Sequence, residues 1–271
     1  MLALGMGGVG PSAARLRVSV SGKLVVVTGA SRGIGAVTAG RLALAGARVV
    51  LLARSAEALE ERAAQIRARG GEAHVVVCDL RDTDAAAAAA RSILDLGIPD
   101  IVVSNAGHSI RRDLVDYADR FHDVTRTAGV NYLGPVALLL GLLPAMMHRG
   151  SGQLVSVSST SVAIPAPGWS VYGASKSAFE AWLRAVAPEL AASGVTTSSL
   201  RLPLVHTAMS ASTYSGAPGL SVRGAAQWVC RAIVDRPRLI SPWWVRLGGA
   251  MADAAPGLTD RVATAYVRRR R

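Results

Sequence analysis

The chain has 271 residues, 51% of them apolar and 18% charged, with a formal net charge of +12. That length and apolar share suit a single α/β domain around a buried parallel sheet, and they argue against disorder. Its two cysteines, Cys78 and Cys230, sit in apolar contexts without metal-ligand spacing, which fits a reduced, cytoplasmic protein with no metal site.

Residues 1–20 are Gly-rich and carry their arginines late, without the basic start and apolar run of a secretion signal; they read as a disordered or flexible lead-in. Residues 23–28 form a first apolar strand, and 34–45 have helical spacing that ends before Gly46. A second strand follows at 48–53. The charged amphipathic stretch 55–69 is a helix capped by Ser55 and stopped by Gly70-Gly71. A third strand spans 73–78. The alanine run makes 82–96 a helix, since Ala is the best helix former. A fourth strand covers 100–104, and 119–147 is one long helix or a helix pair. Its apolar run 136–147, broken by Gly141 and Pro144, is too short to span a bilayer. Strands at 153–158 and 195–202 flank a helix at 169–192. A helix at 222–235 and a short strand at 238–241 complete the pattern.

Strand and helix alternate throughout. The expectation is a Rossmann-type doubly wound parallel sheet of about seven strands, helices on both faces, as a single domain over 21–242. Residues 243–271 form a basic, helical appendix.

Three groups of residues point to chemistry. Thr28-Gly29-Ala30-Ser31-Arg32-Gly33-Ile34-Gly35 joins the first strand to the first helix. In that context the glycines let the backbone approach a pyrophosphate, which sits at the helix N-terminus where free amides favour anions. After the second strand, the stretch 49–56 holds no acid to bind ribose hydroxyls and offers Arg54 instead. With Arg32 it suits a 2′-phosphate, which guanidinium groups pair bidentately, so NADP is favoured over NAD. The third group is Ser159, Tyr172 and Lys176. Ser159 lies at the carboxyl edge of the fifth strand, and Tyr172 and Lys176 share one helix face four residues apart. Only two of the thirty basic residues are lysine, Lys23 and Lys176, so Lys176 supplies something Arg does not. Its ammonium is expected to lower the pKa of the Tyr172 phenol from about 10 towards working pH, where acid–base catalysis is efficient. Ser159 then holds a carbonyl oxygen.

These residues, with Asp79-Leu80, Asn105-Ala106-Gly107 and Asn131, follow in the order of the short-chain dehydrogenase/reductase family, which the chain resembles over roughly residues 20–210. The resemblance implies an NADP(H)-dependent oxidoreductase with Ser159, Tyr172, Lys176 and Asn131 as its catalytic group. Asn131 would hold a water linking Lys176 to solvent, and Lys176 would also bind the nicotinamide ribose. It further implies that Asp79, with Leu80, fixes the adenine and that Asn105, Ala106 and Gly107 border the cofactor cleft. Gly29, Ser31, Gly33, Ile34 and Gly35 would cradle the pyrophosphate. After the sixth strand, Pro203, Val205 and Thr207 fit a cofactor loop, whereas Leu204 replaces the glycine the family often has there.

A narrower resemblance is carried by Asn105-Ala106-Gly107-His108-Ser109-Ile110-Arg111-Arg112, by Arg120-Phe121-His122-Asp123, by Pro203-Leu204-Val205-x-Thr207-x-Met209 and by the stretch 232–238 with its basic tail. These are similar to bacterial fatty acyl-CoA reductases of the same fold. They imply a lipophilic carbonyl substrate, an acyl-CoA or a fatty aldehyde, with a 3-oxoacyl or secondary-alcohol reductase and a non-catalytic NADP-binding protein as alternatives. Arg111-Arg112 would meet coenzyme A phosphates, or else pair with Asp113 or Asp116 to order a loop. His108 and His206 flank the expected substrate cleft. No nucleic-acid signature accompanies the positive charge. The basic tail is solvated or touches anionic lipid peripherally. Self-association as a homodimer or homotetramer through the helices at 119–147 and 169–192 is also implied.

Overall fold

The computed structural model describes residues 10–210 and 218–269. In chain order these form α1 (Ala13–Val20), β1 (Leu24–Thr28), α2 (Gly33–Leu44), β2 (Arg48–Ala53), α3 (Ala56–Arg67), β3 (Glu72–Val77), α4 (Thr83–Leu96) and β4 (Ile101–Ser104). Then come α5 (Phe121–Ala128), α6 (Gly134–Arg149), β5 (Gly152–Ser159), α7 (Ser170–Ala192) and β6 (Val195–Leu202). The chain continues through β7 (Val205–His206), β8 (Leu220–Ser221), α8 (Val222–Asp235), β9 (Leu239–Ile240), α9 (Trp243–Ala254) and α10 (Pro256–Arg268).

Seven strands make one sheet in the order β3-β2-β1-β4-β5-β6-β9, and each neighbouring pair is parallel. β1 reads as an unbroken apolar run because helices cover both of its faces. Successive side chains alternate between two cores. Val25 and Val27 pack with Leu42 of α2, Leu59 of α3 and Val229 of α8, while Leu24 and Val26 pack with Ile93 of α4, Leu142 of α6 and Leu183 of α7. Truncating a fully buried leucine such as Leu142 to Ala would cost about 2–5 kcal/mol. Strand order reverses between β1 and β4, and such a switch point opens a crevice at the carboxyl ends of the strands.

One expectation changes, and one resolves between its two alternatives. Residues 13–20 of the expected lead-in are helix α1, capped by Ser12, whose Oγ accepts a hydrogen bond from the Arg15 amide. Leu16 and Val20 are buried in the core beside α8, and the Arg15 guanidinium bonds Asp235 at 2.8 Å. The glycine content upstream hid this short apolar stripe. Residues 1–9 lie outside the described residues. The expected helix over 119–147 is α5 and α6 joined by a π turn at Gly129–Leu133, where Asn131 sits. π turns inside helices frequently mark functional positions. The rod Phe121–Arg149 is long and apolar enough to cross a membrane, yet Leu138, Leu139, Leu142, Leu143 and Met146 of α6 are core residues of this fold. The appendix beyond residue 242 is helical, as expected, with Arg270 and Arg271 outside the described residues.

Candidate active site

A cleft of about 610 Å³ opens at the carboxyl ends of β1, β2, β4, β5 and β6. Its floor is the glycine turn between β1 and α2. Gly29 has φ +68°, and a Cβ there would meet Ala106 Cα at 2.9 Å; one on Gly35 would lie 2.3 Å from the Gly29 carbonyl oxygen. Only glycine allows this backbone path. α3 and α4 are capped at their starts by Ser55 and Asp82, but no side chain caps α2, whose first turn faces the cleft. Those free amides and the positive helix end suit a phosphate. The residues present therefore fit a dinucleotide.

The turn is braced from β4. Thr28 Oγ1 accepts hydrogen bonds from the amides of Asn105 and Ala106, both at 2.9 Å, and Asn105 Nδ2 donates to the Thr28 carbonyl at 2.9 Å. Asn105 thus borders the cleft by holding its floor in shape. Thr28, named in the sequence only as the end of a strand, is the matching half of that brace.

Arg32 in the glycine turn and Arg54 just past β2 both line the cleft and are exposed. Asp79 is there with Leu80, but its carboxylate is paired with Arg81, which holds its pKa below the ordinary range. Cys78 also lines this wall; burial and then the nearby Asp79 raise its thiol to about 11, so it remains an inert thiol.

At the other end, half-buried Tyr172 lines the cleft and its phenol hydrogen-bonds Ser159. Ser159 Oγ also accepts from the amide of Ser161 at 3.2 Å and is bonded to Ser161 Oγ at 3.0 Å. Lys176, buried one turn along α7, donates from Nζ to the Val157 carbonyl at 3.0 Å. Here the electrostatics correct the sequence expectation. Burial raises the Tyr172 pKa above 10, opposed only by the Ser159 hydrogen bond, and burial lowers Lys176 from 10.5 to about 8. Desolvation outweighs any acidifying effect of the ammonium. The phenol is a protonated acid at neutral pH.

Asn131 is buried and fully used. Its Nδ2 donates to the His108 carbonyl at 2.8 Å and to Ser175 Oγ at 2.9 Å, and its Oδ1 accepts from the His108 amide at 2.8 Å. The side chain pins the loop after β4 to α7. Gly107 follows the same approach, since a Cβ there would stand 3.2 Å from Lys176 Nζ.

Pro203, Leu204, Val205 and Thr207 line the cleft, with Thr207 Cγ2 above the glycine turn. His108 lines it too, its Nε2 buried without a hydrogen-bond partner among the described residues and its pKa lowered, mainly by burial. His206 is exposed on β7 and outside the lining. Arg111 and Arg112 are also outside it. Arg112 pairs with buried Asp123 at 3.2 Å and lies over the Tyr117 ring, and Arg120 and Arg126 bind the same carboxylate. Neither proposed acidic partner, Asp113 nor Asp116, is involved.

Glu180 was missed by the sequence reading. Its carboxylate accepts from Ser158 Oγ at 2.8 Å and from Arg201 Nε at 2.9 Å, tying α7 to β5 and β6 directly beneath Tyr172 and Lys176. The signal was present, because Tyr172, Lys176 and Glu180 continue one four-residue step along a single helix face.

Residues 23–217 match the family model for short chain dehydrogenase. The chain is 41% identical over 250 residues to a fatty acyl-CoA reductase of Acinetobacter baylyi, covering 91% of this chain and 85% of that protein. A fatty acyl-CoA reductase of Mycobacterium tuberculosis is 41% identical over 229 residues, 83% of this chain and 78% of its own. A crystal structure of a metagenomic short-chain oxidoreductase in complex with NADP superposes with a TM-score of 0.71 at 32% identity, covering 82% of this chain and 97% of that one. A 3-oxoacyl (acyl-carrier-protein) reductase from Agrobacterium tumefaciens with NADP bound gives 0.75 at 26% identity over 85% and 95%. The fold and cleft define a Rossmann-type nucleotide-binding oxidoreductase. The chain belongs to the short-chain dehydrogenase family.

Proposed function

We propose that this protein uses NADPH to reduce a long-chain, lipophilic carbonyl compound, a fatty acyl-CoA or fatty aldehyde. One observation carries the reading: a half-buried phenol on α7 bonded to Ser159 at the lip of a cleft whose outer wall, Ile164, Ala166, Trp169, Leu204 and Met209, is apolar. The relatives named fatty acyl-CoA reductase support the substrate class. Arg32 and Arg54, with no acid in 49–56, support the 2′-phosphate, as do the NADP-bound neighbours.

The α2 N-terminus, the glycine turn and the arginines would hold the dinucleotide, and a reduced nicotinamide supplies hydride to the carbonyl carbon. Ser159 donates a hydrogen bond to the carbonyl oxygen. Tyr172 Oη gives that oxygen its proton as negative charge develops there; an aldehyde becomes the alcohol, and an acyl-CoA becomes a hemithioacetal whose C–S bond then breaks, releasing the aldehyde and coenzyme A as its thiol. Lys176 holds a positive charge near the ribose side of the cleft, and Glu180 and Asn131 keep both groups aligned.

The test is NADPH oxidation assayed against a long-chain acyl-CoA, a fatty aldehyde and a ketone. Turnover of the first two supports the reading. Turnover of the ketone alone assigns a 3-oxoacyl or secondary-alcohol reductase, and no turnover of any leaves a cofactor-binding protein. Self-association belongs to the same reading: Leu133, at the end of the π turn, and Leu140, in the middle of α6, are exposed. Free, buried Cys78 and Cys230 are consistent with a reducing, intracellular setting.

A further inference from the structure

The last two helices carry an arrangement that the catalytic chemistry does not use. The inward face of α9 is small and closely packed. A Cβ on Gly248 would lie 3.0 Å from Ile164 Cγ2, and one on Gly249 would lie 3.2 Å from the Ala163 carbonyl oxygen. Val245, on the same face, is buried. Ile164 itself lines the cleft, so α9 lies against the outer side of the substrate wall.

The outward face is apolar. Trp243, Leu247 and Met251 follow at four-residue steps and are 61%, 55% and 44% exposed. α10, packed on α9, repeats the pattern with Leu258, Val262 and Tyr266 at 50%, 65% and 45%, while Thr259, Ala263 and Val267 form its less exposed side. Four-residue steps keep these side chains on one helix face. The guanidinium-bearing residues Arg246, Arg261, Arg268 and Arg269 are exposed beside the stripes, and residues 243–271 hold six arginines against two aspartates.

We infer that α9 and α10 form an amphipathic platform that seats the protein on an anionic lipid surface, beside the mouth of the substrate cleft. The apolar stripes enter the boundary between headgroups and acyl chains, and the arginines pair with lipid phosphates. A second copy of this chain is a poor occupant, because it would bring a second arginine-rich rim against the first. A nucleic acid would use the arginines but leave the apolar stripes in water. Handing a membrane-borne substrate to the cleft rests on the lipophilic-carbonyl reading; docking on the surface does not.

The experiment is co-sedimentation of the full chain with vesicles of phosphatidylcholine alone or mixed with phosphatidylglycerol. Binding is expected only with the anionic lipid, and it weakens with salt. Trp243→Ser with Leu247→Ser and Val262→Ser should weaken it about tenfold or more, as loss of buried apolar area requires. Arg261→Glu with Arg268→Glu should weaken it comparably. All of these residues are exposed, so circular dichroism and NADPH binding should match wild type. If vesicle binding behaves this way while no carbonyl is turned over, the platform stands and the substrate reading falls. Absence of anionic-vesicle binding overturns the inference, as does binding indifferent to the serine changes. A dimer dissolved by those changes, or an oligonucleotide bound without them mattering, in either case without lipid binding, reassigns the surface and overturns it too.

Discussion

At the catalytic end of the cleft the ionisable groups are withdrawn from solvent, Lys176 fully and Tyr172 in part, and drawn towards neutrality: the Tyr172 pKa is raised and Lys176 sits near 8. At the nucleotide end Arg32 and Arg54 are exposed and line the cleft, and half-buried Asp79 is bound by Arg81. The difference follows from the two tasks. A general acid must keep its proton until negative charge develops on the substrate, whereas a phosphate is recognised by cations that carry their charge throughout. A third set, Arg112, Arg120 and Arg126 around buried Asp123, shows that an arginine near a site can serve the scaffold instead.

The largest expected effect breaks the catalytic end. Tyr172→Phe removes the proton donor and should lower turnover roughly 10²–10⁴-fold, while NADPH binding by fluorescence titration stays near wild type; retained turnover would falsify the acid assignment. At the nucleotide end, Arg54→Asp should weaken NADPH on the order of a hundredfold, the worth of a charge-assisted pair turned repulsive, and leave NADH little changed. Equal losses would remove the 2′-phosphate reading.

The pH dependence sharpens the contrast. Lys176 keeps its charge below about 8, so kcat/KM for NADPH-dependent reduction should be flat below that pH and fall above it. The same shift acts on stability with a definite sign. Between about 8 and 10.5 the unfolded chain carries a proton that the folded chain lacks, so stability rises with pH across that window. Below it the buried ammonium is a cost, and Lys176→Met should raise the unfolding free energy by about 1–3 kcal/mol at neutral pH, a gain that fades towards pH 10.5 in denaturant titrations. The smallest effect concerns the scaffold set. Arg120 first, then burial opposing it, leave the Asp123 carboxyl below its ordinary 3.8, so its stabilisation is present above that pH and drains as pH falls below it. Asp123→Asn should lower Tm by several degrees at pH 7 and by less in acid.

Much of this architecture is legible in the sequence. Parallel strands covered on both faces must be apolar runs, so residues 24–28, 48–53 and 101–104 announce themselves. The glycine turn and the four-residue step from Tyr172 to Lys176 are local patterns, and their positions survive folding. What was not legible depends on who neighbours whom. The direction of the Tyr172 shift needed the depth of burial. The fate of Arg112 needed the knowledge that α5 brings Asp123, not Asp113 or Asp116, against it. That Asn131 ties the His108 backbone to Ser175 needed the π turn that brings them together. The α1 helix was obscured because its two core anchors, Leu16 and Val20, are too few to form a periodic pattern.

That first helix has a practical consequence for anyone trimming the gene. α1 leans on α8 through Leu16, Val20 and the Arg15–Asp235 pair, and α8 in turn receives Gln153 of β5 at the Ala232 carbonyl, 2.8 Å away. Starting an expression clone at residue 21, where the strands begin, would strip a prop from the far side of the strand that ends in Ser159.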